Sequence, residues 1–151
     1  MNDEWRQNLI VDPGRIAELV RSFRRVAVLG IRPERYAERA AYYVPAYLAS
    51  VGFTILPVAV QDPGQPTILG QPVYRTVADV PGPIDVVDVF RKSEDIPAHV
   101  PDILKAHPRA VWFQTLIFND EAAETFARAG IQVVQGRCLM VEQRKLAAAS
   151  Q

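Results

Sequence analysis

The chain has 151 residues, 49% of them hydrophobic, and its 17 basic side chains balance 17 acidic ones. That length suits one domain with a proper core. Zero net charge supplies no field for duplex DNA or an anionic membrane, so neither nucleic acid nor membrane is expected as a partner. A single cysteine, Cys138, excludes an internal disulfide and suits a reducing compartment. The start, Met1-Asn2-Asp3-Glu4-Trp5, lacks the basic and apolar run of a signal peptide, and no apolar stretch approaches the ~20 residues of a membrane span. A cytoplasmic location is expected.

Asp12-Pro13-Gly14 opens the first helix, with Asp12 as N-cap and Pro13 at the first helical position. Ile16, Leu19, Val20 and Phe23 recur at helical spacing, so one face of residues 13–23 is expected to pack inward. Val26-Ala27-Val28-Leu29-Gly30 then reads as a strand over 25–30, buried on both faces. A loop carrying Arg32 and Arg35 follows it. The second helix is expected over 40–51, turning Val44, Leu48 and Val51 inward. Pro45 belongs in or near its first turn, and Gly52 ends it. Phe53 to Val58 is the second strand, and strand–helix–strand at this spacing makes a right-handed crossover the default.

Residues 61–83, rich in proline and glycine, form a long connector with a short strand around Val73-Tyr74-Arg75. Ile84 to Phe90 is the next strand, with Asp85 read as its start and Asp88 as a cap or anchor for a neighbouring loop. A helix over 94–106 takes Pro97 early and bends at Pro101. Ala110 to Phe113 is a strand, and Asn119 or Asp120 caps a helix that runs to Ala129 and stops at Gly130. Ile131 to Val134 is the last strand, and a final helix covers 139–148. The alternation gives an α/β, Rossmann-like doubly wound sheet of about five mostly parallel strands with helices on both faces. It forms a single domain over 1–151 with its core over 25–138.

Gly30 at the edge of the first strand lets backbone and ligand approach closely, and ligands of such sheets bind beyond the carboxyl ends of the strands. Arg32 and Arg35 stand there as donors for a phosphate or carboxylate. A dinucleotide is disfavoured: Arg32 and Arg35 replace the second and third glycines of G-x-G-x-x-G. The acid that should end the second strand is missing too, since Pro57-Val58-Ala59 stands there and no acid follows until Asp62. This combination fits a ligand richer in phosphate, with its adenosine against Pro57 and Val58.

In this light the chain resembles the small stand-alone CoA-binding proteins, whose fold is similar to the CoA-binding domain of the succinyl-CoA synthetase α subunit. The resemblance covers residues 20–146. It runs through Val26-Ala27-Val28-Leu29-Gly30, Tyr43-Val44, Leu56-Pro57-Val58 and Ile68-Leu69-Gly70. It continues through Ile84 to Arg91, Val111-Trp112-Phe113-Gln114, Asn119 to Ala123, and the ending Arg137-Cys138-Leu139-Met140-Val141-Glu142. The resemblance implies that Gly30, Ile31, Arg32, Pro33 and Arg35 hold the phosphates of coenzyme A and that Pro57 and Val58 flank its adenosine. It further implies that Phe90, Arg91 and Lys92 close the other side, and that the pantetheine arm runs by Gln114, Arg137 and Cys138. The family's pattern has small residues at Ile31 and Arg32, Asn and Pro at Ala59 and Val60, glycine at Leu116 and histidine at Gln143.

Cys138 could meet the CoA thiol in a mixed disulfide; a free cysteine is more often an inert, half-buried side chain. His99 and His107 have no Asp, Glu or Cys at metal-ligand spacing and read as surface residues, so no metal is expected. No Ser/His/Asp set or G-x-S-x-G elbow is visible. The expectation is a small non-catalytic protein that binds coenzyme A or an acyl-CoA, as a carrier or regulator, with a protein partner left open. The rival readings are an enzyme using an NAD(P)-type dinucleotide and a ligand-free protein-interaction domain.

Overall fold

The computed structural model describes residues 3–150. Asp12 caps the first helix as its chemistry dictates: Oδ2 accepts the Arg15 backbone N–H at 3.0 Å, and α1 runs Pro13–Ser22. Next come β1 (Arg25–Leu29), α2 (Ala40–Ser50) and β2 (Thr54–Val58). The connector holds a short antiparallel pair, β3 (Thr67–Ile68) and β4 (Gln71–Pro72). Then follow β5 (Val86–Val89), α3 (Val100–Ala106), β6 (Ala110–Thr115), α4 (Asp120–Arg128), β7 (Gln132–Gly136) and α5 (Leu139–Ala149). The main sheet has five strands in the order β2-β1-β5-β6-β7, and every pair in it is parallel.

The apolar runs explain this arrangement. A parallel sheet must be covered on both faces, and β5 is buried at every position. On one face Val26, Val28, Val86, Trp112 and Val134 meet Ile16, Val20, Phe23, Val44, Leu48 and Leu139 from α1, its C-cap, α2 and α5. On the other, Val87, Val89, Val111 and Phe113 meet Ile96, Ile103, Ala122 and Phe126. Trp112 anchors the first face. Its ring meets Phe23 edge-on at 6.4 Å, and its Nε1–H donates to the Arg137 carbonyl at 2.7 Å. Cutting such a side chain back to alanine costs about 3–5 kcal/mol.

The expected elements are all present, with four local departures. Pro45 lies in the second turn of α2 rather than the first, and the helix tolerates it because the carbonyl it strands finds another donor. Val51 is 43% exposed instead of inward, since the helix ends at Ser50 and Val51 is its C-cap. Pro101 does not bend a helix. It stands in the first turn of α3, where its missing N–H is free of cost, and a 3-10 segment, Ser93–His99, precedes it. The strand expected around Tyr74 is a single bridge to Val58, made by Tyr74 N–H to the Pro57 carbonyl at 2.8 Å. Outside any element read from the sequence, a 3-10 segment spans Glu4–Asn8, and a bridge from Leu9 to Val133 extends the sheet beside β7.

Two carboxylates of β5 and its approach have opposite fates. Asp85 Oδ2 accepts the N–H groups of Arg24 at 2.7 Å and Arg25 at 2.8 Å, tying down the start of β1. Asp88 caps nothing, contrary to the expectation. It is wholly buried between Val28 and Trp112 in the sheet register, and neither oxygen has a hydrogen-bond partner. Burial pushes its carboxyl well above the usual range, favouring the protonated form.

Candidate functional site

The chain steps outward from β1 to β2 and then returns to place β5 on the other side of β1. The crevice beyond the carboxyl ends of β1 and β5 is therefore the switch point of the sheet, where open α/β folds bind ligands. Gly30 closes β1 there with φ +91°, and a Cβ on it would stand 2.4 Å from the Phe90 carbonyl oxygen. The close approach that Gly30 permits is that of the β5 exit. Ile31 is turned wholly into the core and Pro33 is buried beside it, so neither offers the side-chain surface expected for a phosphate. Their contribution is confined to the backbone.

Over this crevice lies a cleft of about 480 Å³. Helix α2 forms one wall with Ala40, Ala41, Tyr43 and Val44. The opposite wall is Phe90, Arg91 and Lys92 from the exit of β5. Gln114, Thr115, Ile117 and Cys138 close the far end, above β6 and the start of α5. Five of the expected side chains, Phe90, Arg91, Lys92, Gln114 and Cys138, thus meet in one place.

Gln114 is the polar centre of the cleft. It is only 5% exposed, and its Oε1 accepts the Leu139 backbone N–H at 3.1 Å, satisfying an orphan donor at the start of α5. That bond fixes the amide's orientation and leaves its NH₂ without an acceptor among the described residues. Cys138 is the half-buried N-cap of α5, and its side chain makes no capping bond. Lys92 is exposed and enters no ion pair among the described residues. Arg91 lies 3.6 Å from Asp95 and donates through Nε to His99 Nε2 at 3.3 Å. His99 is accordingly not a free surface residue. Burial, then the Arg91 charge, lowers its pKa against the pull of Asp102 and Asp95.

The remaining candidates lie elsewhere. Arg137 gives its carbonyl to Trp112, points its guanidinium toward Glu142 at 3.8 Å and lines a separate groove beside Phe118, not the cleft. Pro57 and Val58 are buried in β2 beneath Tyr74, so the side chain of Val58, fully enclosed, offers nothing for an adenosine to rest on. Arg32 and Arg35 face the β2 side, where Asp62 holds both: Arg32 Nε at 2.9 Å and Arg35 Nη2 at 2.7 Å. Sequence reading missed Asp62 as a site residue, along with the α2 wall. The Asp62-Pro63-Gly64 turn was the available signal for the first.

A family model for the CoA binding domain matches residues 24–144. The chain belongs to that CoA-binding family. Within its described residues, the family's segment holds the whole cleft. The YneT protein of Bacillus subtilis (strain 168), itself uncharacterized, is 30% identical over 131 residues, spanning 83% of this chain and 90% of that one. A solved structure from Thermus thermophilus, cell-free ID.343, superposes with a TM-score of 0.82 at 33% identity, covering 90% of this chain and 99% of its own. A hypothetical protein from Pyrococcus horikoshii OT3 does so with a TM-score of 0.82 at 32% identity, covering 91% and 93%. Leu116, where the resemblance implies glycine, stands with φ +66° and is 81% exposed. The left-handed backbone explains that preference.

Proposed function

We propose that this chain binds coenzyme A or an acyl-CoA as a small binding, carrier or regulatory protein, with no catalysis of its own. The observation that carries the reading is the Gln114 amide, buried at the end of an apolar-walled cleft with its NH₂ left to donate. The pantetheine arm of CoA is the matching chemistry. It is a narrow chain of apolar segments punctuated by amide carbonyls, one of which the Gln114 NH₂ would hold. Tyr43 and Phe90 would cover its methyl groups, and a cleft of about 480 Å³ lies in the range of small-molecule sites. Lys92 and Arg91 at the mouth would receive the pyrophosphate, and the thiol end would lie toward Cys138.

A dinucleotide is less well served. The carboxylate nearest the end of β2, Asp62, is paired with two arginines and almost wholly enclosed, which places it poorly for ribose hydroxyls. The test is differential scanning fluorimetry with CoA, acetyl-CoA, NAD and ATP in parallel. A ligand at ~100 times its dissociation constant adds about 2.7 kcal/mol, a rise of several degrees. The expected result is a rise with CoA or acetyl-CoA that Gln114→Leu weakens. A rise with NAD alone, or with none of the four, would sink the reading.

A further inference from the structure

The loop after β1 presents two guanidinium groups, and an unoccupied pair of this kind is a phosphate clamp. In this chain it is already filled. Asp62 Oδ2 takes Arg32 Nε and Oδ1 takes Arg35 Nη2, while Arg35 Nη1 donates to Gln65 Oε1 at 3.0 Å. The carboxylate is 5% exposed and Arg32 13%, so solvent screens their pairing little. Asp62 is fixed from behind as well: its φ is +58°, and its carbonyl accepts Arg75 Nη2 at 2.9 Å. Tyr36 completes the lock, with Arg32 Cζ stacked 3.8 Å from its ring centre.

We propose that Asp62 is a specificity-determining residue: it fills the arginine pair as a built-in anion, so the nucleoside end of a bound CoA is accepted without selection for its 3′-phosphate. The proposal rests on the CoA reading above. A phosphate arriving at this loop has two routes, and both are costly. It can displace Asp62, which strands a buried carboxylate. Alternatively it can dock beside Asp62, against a like charge. A ligand ending in a free ribose meets neither obstacle. CoA and 3′-dephospho-CoA should therefore bind alike, and removing the Asp62 charge should restore preference for the phosphate.

The experiment is calorimetric titration of CoA and 3′-dephospho-CoA into the wild-type chain and Asp62→Asn, with inorganic pyrophosphate as a nucleotide-free probe in a thermal-shift arm. Asparagine tolerates the left-handed backbone at this position, and Asp62→Gly, which also does, serves if Asn fails to fold. In the wild type the two dissociation constants should agree within about threefold, whereas in the variant CoA should bind about tenfold tighter than its dephospho form. Pyrophosphate should stabilise the variant more than the wild type, in which only Lys92 and Arg91 are left to receive it. A wild type that already prefers CoA about tenfold, or a ratio unchanged in the variant, overturns the proposal. If neither form of CoA binds either protein, the CoA reading fails by itself. The pyrophosphate arm then decides on Asp62, an equal shift in both proteins counting against it.

Discussion

Pro45 and Arg32 are linked through one carbonyl. Proline has no N–H, so Pro45 leaves the Ala41 carbonyl of α2 without its helical donor, and the Arg32 backbone N–H supplies one at 3.1 Å. Ala41 lines the cleft, and Arg32 opens the arginine loop. The helix wall and the loop after β1 are thereby tied together at the point where a ligand would pass between them.

Pro45→Ala gives Ala41 a second suitor from within the helix. A hydrogen bond of this kind contributes about 1 kcal/mol, so weakening it should speed amide exchange at Arg32 about fivefold. Exchange at Val28 and Leu29, inside β1, should not change. Hydrogen exchange followed by NMR resolves the two sites, and equal acceleration at both would mean that the mooring is not local.

Leu116→Gly should stabilise the fold. A side chain at φ +66° costs roughly 1–2 kcal/mol, and this leucine is 81% exposed, so little burial is lost with it. Glycine's extra freedom in the unfolded chain takes back part of the gain, leaving about 0.5–1 kcal/mol in urea unfolding. A loss of stability would show that Leu116 makes a contact absent from this structure.

Asp88 makes stability depend on pH. Its folded carboxyl titrates well above the unfolded value of about 3.9, so the folded state binds more protons over that interval. Stability is fully present below the unfolded pKa and is lost as pH rises through the interval to the folded one. Asp88→Val removes an unpartnered polar group and should add about 1–3 kcal/mol at neutral pH while flattening this slope. Unfolding curves from pH 4 to pH 8 read both effects, and a variant that is less stable at neutral pH contradicts the account.

His99 acts with the opposite sign. Burial and the Arg91 charge lower its pKa, so below the ordinary value of about 6.5 the unfolded chain binds the proton first and stability falls with falling pH. The neutral ring accepts Arg91 Nε, and a charged ring cannot. Arg91 lines the cleft, so ligand affinity should weaken over the same acid range. His99→Gln should remove both dependences. Unaltered acid sensitivity in this variant would assign them elsewhere.

Much of the fold was legible in the sequence because its signals are local. Asp12-Pro13, the valine run of β1, Asn119 with its cap bond to the Ala122 N–H, and Gly130 each act within a few residues. The cleft's far wall was legible for a related reason: Phe90, Arg91, Lys92 and Gln114 directly follow or end apolar strands, whose carboxyl ends face the switch point. What escaped depends on distant partners. The fate of Arg32 is set by Asp62 across 30 residues of sequence. Pro45 is tolerable only because Arg32 is near. Arg137 follows β7 as expected, yet the Trp112 indole fixes its carbonyl and Glu142 draws its guanidinium away. Alternation within β5 puts Asp88 on the same face as Val86 and Phe90, but polarity alone suggested a cap or anchor for a neighbouring loop.

The most direct test of the central claim is a titration of the isotopically labelled chain with CoA, read as backbone amide shifts. Saturable changes at Tyr43, Phe90, Gln114 and Cys138, on the facing walls of the cleft, are the predicted result. Saturable changes confined to other surfaces, or none at millimolar CoA, would contradict it.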